Sequence, residues 1–224
     1  MDSLPQELID KIIGNLPRSS LLPCSLVAKR WRRGSQQRAF QRIELFYEDQ
    51  VNRWYRDTLQ DPDGVASYFR VVRFKDIPLW NDLTIFGRVL KSLGSLMEFW
   101  VYRTEIPGEL PGIILSLPNL KVLSITAVTF ESKELLSTHP APPQRGPLDL
   151  LELRGDVGGL GMALARSQLT SRRLTLAVPI QGIEQLIMHS SETVVELKLY
   201  GMWLCGFPGA RSGDNDGFSR YFPG

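Results

Sequence analysis

The feature that most limits what this chain can fold into is a spaced apolar motif that keeps returning. Written as apolar-x-x-apolar-x-apolar, it occurs at Phe40–Ile43–Leu45, Phe69–Val72–Phe74, Leu96–Phe99–Val101, Leu120–Leu123–Ile125, Leu148–Leu151–Leu153 and Val194–Leu197–Leu199. A further copy, Ser171–Leu174–Leu176, keeps two of the three positions. The copies open at residues 40, 69, 96, 120, 148, 171 and 194, so they recur every 23 to 29 residues. Self-similarity at that period marks a chain built from stacked units. The last two apolar positions of each copy alternate as one face of a short strand does.

Between these strands lie helix-like stretches such as DLTIFGRVLKSLG, GELPGIILSLPN, GLGMALARSQL and IEQLIMHSSE. One strand and one helix per unit resembles the leucine-rich repeat, although the asparagine that usually follows the strand is missing from most copies. Each unit leaves one side of its strand and helix uncovered, so only a neighbour can close its core. The expected fold is α/β: a short N-terminal three-helix module, then a leucine-rich-repeat-like solenoid over residues 43–205 with a curved parallel sheet and helices outside. Two stretches break the pattern. THPAPPQRGP, 138 to 147, is proline-rich and reads as a surface loop. The glycine-rich tail, 206 to 224, has no apolar period and is expected to be poorly ordered.

The first forty residues have a different texture. LPQELIDKIIGNLPRSSLLPCSLVAKRWRR, 4 to 33, packs nine Leu/Ile residues and one tryptophan into thirty positions. Ile9, Ile12, Ile13 and Leu16 fall at offsets 0, 3, 4 and 7, one face of a helix, and Leu8 widens the stripe. Pro5 suits a first helical turn, Glu7 complements the dipole, and Asn15 and Pro17 end the helix. Ser19 and Ser20 are placed to cap a second helix carrying Leu21, Leu22, Cys24, Leu26 and Val27, with Pro23 in its first turn. A basic third segment, AKRWRRGSQQRAF, is anchored by Trp31 and Phe40. Three helices this short cannot bury all these side chains against one another. Either a partner covers the remainder, or the stripe packs on the first repeat as a solenoid cap. Periodicity alone leaves both open.

Composition removes other classes. A formal net charge of +2 gives no mandate for nucleic-acid or membrane binding. The run KRWRR, 29 to 33, reads as a solvated helix face around an anchoring tryptophan. Cys24 and Cys205 lie far apart and fit a reduced compartment. No apolar run approaches the ~18 residues of a membrane span, and Met1-Asp2 lacks the basic start of a secretory signal. A cytoplasmic or nuclear protein is expected. His139 and His189 have no ligand-spaced partners, so no metal is expected. GxSxG, HExxH and P-loop patterns are absent. Gly159-Leu160-Gly161 resembles part of a dinucleotide loop, but Leu164 stands where the third glycine belongs. No enzyme and no cofactor are expected.

The N-terminal residues carry a family resemblance. Leu4-Pro5, Glu7-Leu8, Ile12-Ile13, Leu16-Pro17, Leu21-Leu22, Ser25-Leu26-Val27 and Lys29-Arg30-Trp31-Arg32 stand as they do in the F-box. LPQELID and CSLVAKRW are particularly similar to the F-box families of mushroom-forming fungi. The chain departs from the pattern at Ser19-Ser20, Ala28 and Gly34. The resemblance implies a module that docks on a Skp-type adaptor, and through it on a cullin, in a ubiquitin ligase. By resemblance the adaptor contacts are Leu4, Pro5, Leu8, Ile9, Ile12, Leu16, Leu22 and Val27. The repeats resemble the substrate-binding parts found behind many F-boxes, and would hold a protein target of unknown identity. On their concave face Trp100, Tyr102, Arg154, Lys198 and Tyr200 are the expected anchors, since aromatic and arginine side chains dominate binding surfaces. The alternative is a repeat scaffold outside ubiquitination, capped by its N-terminal helices.

Overall fold

The apolar template decides the sheet. A computed structural model describes residues 4–60, 64–76, 83–103, 105–106, 110–126, 129–130, 146–155, 160–177, 183–200 and 218–221. Every copy of the template ends in a strand: β1 (Arg42–Leu45), β2 (Val71–Lys75), β3 (Glu98–Tyr102), β5 (Val122–Thr126), β7 (Leu150–Arg154), β8 (Arg173–Ala177) and β9 (Glu196–Tyr200). These strands run parallel in chain order, β1-β2-β3-β5-β7-β8-β9. The register follows the template: Ile43 opposes Val72, which opposes Phe99, then Leu123, Leu151, Leu174 and Leu197. A one-residue slip would turn each of these side chains to the other face. Two short strands, β4 (Glu105–Ile106) and β6 (Thr129–Phe130), form a separate parallel pair.

The helices α4 (Glu48–Gln60), α5 (Leu83–Ser92), α6 (Leu110–Ser116), α7 (Leu160–Arg166) and α8 (Ile183–Ser190) alternate with the strands, and each touches the next. Buried Val89, Leu90, Ile114, Leu164 and Leu186 from the helices join Val72, Phe74, Phe99, Val101, Leu123, Ile125, Leu151 and Leu153 from the sheet in one continuous core. Full burial of each such side chain contributes about 1.5–3 kcal/mol, so the two inward positions per strand are the main favourable term of each unit. Ser171, which replaces the opening apolar residue of its copy, is fully buried too. Its Oγ donates to the Arg173 carbonyl at 2.8 Å and its N–H to Ser190 Oγ at 3.2 Å, so the polar substitution is satisfied. Three strands leave the sheet through a left-handed residue at the same place: Asp76 (φ 56°), Arg103 (φ 47°) and Gly155 (φ 78°).

The N-terminal module consists of α1 (Gln6–Asn15), α2 (Arg18–Val27) and α3 (Lys29–Ala39). Three local readings change. α1 begins after Pro5, which sits at the N-cap position rather than in the first turn. α2 begins at Arg18 behind Pro17, so Ser19 and Ser20 lie inside it and cap nothing. Pro23 is therefore interior to α2 and removes one internal hydrogen bond. α4 was hidden in the sequence by its charges, although Val51, Trp54, Tyr55 and Thr58 hold the 0, 3, 4, 7 spacing of one face and all are buried.

One segment of the tail is among the described residues. Phe218–Tyr221 forms β10, antiparallel to β9, with Phe218 opposite Leu199 and Tyr221 opposite Glu196. The reason is the free edge of β9, whose unpaired backbone groups accept a strand of almost any composition. The rest of the tail, most of the proline-rich stretch and residues 156–159 of the glycine-rich turn lie outside the described residues.

Candidate partner-binding surfaces

Two surfaces present side chains that the chain itself does not cover. The first is on the N-terminal module. Its own core is small: Ile9, Ile13, Leu21 and Ala39, with Leu4, Leu16, Trp31 and Phe40 packed against them. Gly34 permits this closeness, because a Cβ there would lie 3.0 Å from Ile13 Cδ1 and 3.5 Å from Asp10 Oδ1. The Arg30 guanidinium donates to the Leu4 carbonyl at 2.7 Å, tying the start of the module to α3.

The apolar stripe of α1 therefore divides. Ile9 and Ile13 point into the core, whereas Leu8 and Ile12, one position earlier on the helix wheel, remain 47% and 39% exposed. On α2, Leu22, Leu26 and Val27 are 48%, 80% and 68% exposed. Leu8/Ile12 and Leu22/Leu26 are both i,i+4 pairs, so each makes a contiguous apolar ridge. Of the expected adaptor contacts, Leu8, Ile12, Leu22 and Val27 lie on this surface, and Pro5 is exposed beside it. Leu4 and Leu16 are half-buried and mainly close the module's core. Ile9, also among the expected contacts, is closed inside the module at 1% exposure. Leu26, which was not among the expected contacts, is exposed four residues after Leu22.

The second surface is the sheet face opposite the core. Its middle row runs Glu44, Arg73, Trp100, Ser124, Glu152, Thr175, Lys198 in paired register. Arg73 stacks over Trp100 at 4.7 Å and reaches Glu44 at 3.6 Å. Trp100 Nε1 donates to Glu98 at 3.0 Å. Arg154 stacks over Tyr200 at 4.7 Å while pairing with Glu152 at 2.8 Å, and Ser124 Oγ donates to the same carboxylate at 2.6 Å. Lys198 pairs with Glu196 at 2.8 Å, and Arg103 lies 4.9 Å over Tyr102. The expected anchors Trp100, Tyr102, Arg154, Lys198 and Tyr200 thus share one face, each partly exposed. In two of these pairs the carboxylate is the more covered partner: Glu152 is 16% exposed against 41% for Arg154, and Glu196 21% against 40% for Lys198. What this face offers is a row of aromatic rings with guanidinium groups stacked on them.

No group of His, Cys, Asp and Glu among the described residues is arranged to hold a metal ion. No helix among them is long and apolar enough to cross a membrane. Residues 1–40 match the family model described as F-box-like, so the N-terminal three-helix module is an F-box-like domain. No curated protein sequence matches the chain at a significant level.

Proposed function

We propose that this chain is a substrate-recognition subunit of a Skp–cullin–F-box ubiquitin ligase. The observation that carries the reading is the pair of uncovered apolar ridges, Leu8/Ile12 and Leu22/Leu26, on a module that matches an F-box-like domain. Large apolar side chains left together on a small helical module mark a surface that another protein completes. The strand–helix units behind the module then act as a leucine-rich-repeat-like solenoid. Its open face, with Trp100, Tyr102, Arg154, Lys198 and Tyr200, holds the target. The chain performs no chemistry in this reading; it raises the concentration of target beside the transferring enzyme, in the cytoplasm or nucleus.

The alternative, a scaffold whose N-terminal helices only cap the array, draws on one observation: Phe40 packs against both the module's core and the main core. The contact at Phe40 leaves Leu8, Ile12, Leu22 and Leu26 exposed, so it does not compete with the docking proposed for them. Co-purification with a Skp-type adaptor is the test. The parent chain should capture the adaptor, and Leu8→Asp with Ile12→Asp should abolish capture while the repeats stay folded by circular dichroism. A parent that never captures the adaptor, or a double variant that still does, leaves the scaffold reading in place.

A further inference from the structure

From β2 onward, every strand of the parallel sheet ends in a residue that faces away from the core. These residues are Lys75, Tyr102, Thr126, Arg154, Ala177 and Tyr200. In register, Lys75 opposes Tyr102, Tyr102 opposes Thr126, Thr126 opposes Arg154, and Ala177 opposes Tyr200. This upper row holds two cations, two phenols and one hydroxyl, and no carboxylate. Arg103, next after Tyr102, adds a guanidinium that lies 4.9 Å over the Tyr102 ring and is 63% exposed. Against these three cations stands Asp76, 3.8 Å from Arg103 and 46% exposed.

The other carboxylates of the face, Glu44, Glu98, Glu152 and Glu196, all lie earlier on their strands, in the two lower rows. Lys75 is exposed and forms no ion pair among the described residues. Glu152 reaches Arg154 at its buried Nε, 2.8 Å away, although that contact is out of line for a hydrogen bond. The Arg154 side chain is still 41% exposed against 16% for Glu152, so a partner meets the cation first. The lower carboxylates would repel a broad polyanion such as a nucleic acid, and a formal net charge of +2 sets up no long-range field for one. A single acidic strand kept to the upper row meets only its cations and hydroxyls.

The spacing suits such a strand. Neighbouring strands lie about 4.8 Å apart, so Lys75 on β2 and Arg154 on β7, three strands on, are separated by about 14 Å. An extended peptide advances about 3.4 Å per residue and turns alternate side chains to the same side, so residues four apart share a face and span about the same distance. On the reading that the open sheet face holds the target, we propose that its upper row binds an extended acidic segment of that target protein, with carboxylates four residues apart meeting Lys75 and Arg154. A guanidinium stacked on an aromatic ring suits this role, because its planar fork of donors matches a carboxylate.

The probes are fluorescein-labelled glycine-serine peptides of nine residues, titrated with the full chain by fluorescence anisotropy at low salt, where exposed charges are least screened. One peptide carries glutamates at its second, third, sixth and seventh positions; another carries the same four glutamates in one block, and a third has glutamines instead. The spaced peptide should bind saturably, the block peptide several-fold more weakly, and the glutamine peptide about tenfold more weakly or not at all. Lys75→Gln, at an exposed position, should weaken the spaced peptide severalfold without changing the thermal melt, and adding Arg154→Gln should weaken it further; Lys91→Gln on α5 should leave it unchanged. Equal binding of the spaced and glutamine peptides, equal binding of the spaced and block peptides, or full affinity in Lys75→Gln overturns the proposal. Tighter binding of a nine-nucleotide thymidine strand than of the spaced peptide overturns it too, in favour of nucleic acid. Adaptor capture is read separately on the same Lys75→Gln chain and should match the parent, so a failure here leaves the ligase reading standing, and a failure of capture leaves this one standing.

Discussion

Replacing Leu8 and Leu26 together by alanine asks whether the exposed ridges bind or merely coat the module. Full burial of a leucine side chain is worth about 1.5–3 kcal/mol. Leu8 is 47% exposed and Leu26 80% exposed in the free chain. What a partner can still gain by covering them is therefore roughly 0.7–1.4 kcal/mol at Leu8 and roughly 1.2–2.4 kcal/mol at Leu26. Together that is about 2–4 kcal/mol, or roughly a thirty- to seven-hundredfold loss of affinity at 1.4 kcal/mol per factor of ten. These are upper values, because alanine keeps its Cβ. The same double change should alter the stability of the free chain by only about 0.5 kcal/mol per site, as exposed positions usually do. Ile9→Ala makes the reverse prediction. Its side chain is closed inside the module, so the substitution should cost about 2–5 kcal/mol of folding stability through the cavity it leaves. Titration calorimetry with a purified Skp-type adaptor, beside thermal melts of each variant, reads both quantities. A double variant that binds within twofold of the parent refutes the argument. So does an Ile9→Ala chain that melts like the parent yet no longer binds, because Ile9 would then be a contact and not core.

Two further substitutions test the packing. Phe99 is fully buried and edge-on to Phe74 at 5.9 Å, so Phe99→Ala should lower stability by about 3–5 kcal/mol, read as a lower urea midpoint with an unchanged slope; a midpoint within error of the parent would show that the middle strands are not the core they look like. Gly34→Val drives methyl groups into Ile13 and Asp10 and should cost about 1–3 kcal/mol. Gly34→Ala should be near neutral by thermal melt, its helix propensity gain of about 1 kcal/mol offsetting the tight contact with Ile13; a clear stabilisation by valine would show that α1 and α3 are not held this close.

The strand positions were legible because one constraint governs them. Parallel neighbours must place Val72, Phe99, Leu123, Leu151 and Leu174 in one buried row, and a three-point apolar code is enough to specify that row. The same logic located α5 to α8, whose inward faces are dense in Leu and Ile. It failed at α4, because EDQVNRWYRDTLQ carries its face on a valine, two aromatics and a threonine among charges. It failed at β10 for a different reason. That strand answers to the open edge of β9 and not to any pattern of its own. In the module, periodicity found the apolar stripe but could not divide it. Ile9 and Leu8 are adjacent residues of the same character, and only the position of α3 behind α1 sends one inward and leaves the other outside. The open sheet face was readable as a set, since alternate strand residues must share it. Its ion pairs and cation–aromatic stacks depend on rotamers that no spacing encodes.

The placement of Phe40 joins the module to the sheet. It completes the first copy of the repeat template, yet it also packs against the core formed by Ile9, Ile13, Leu21 and Ala39. A single side chain shared by two cores ties the last turn of α3 to the first strand, and Arg18 on the Arg42 carbonyl adds a second tie across it. A flexible tether between the two parts would let the ridges and the open sheet face take many relative orientations. A receptor that must hold a target against a distant transferring group gains from removing those orientations, because a fixed geometry raises the effective concentration of the reacting partners. A cap whose only task was to shield the first repeat would have no use for leucines left exposed. Phe40 accounts for the contact between the module and the main core; it leaves the exposure of Leu8, Ile12, Leu22 and Leu26 unaccounted for, and that exposure is what the proposed partner would answer.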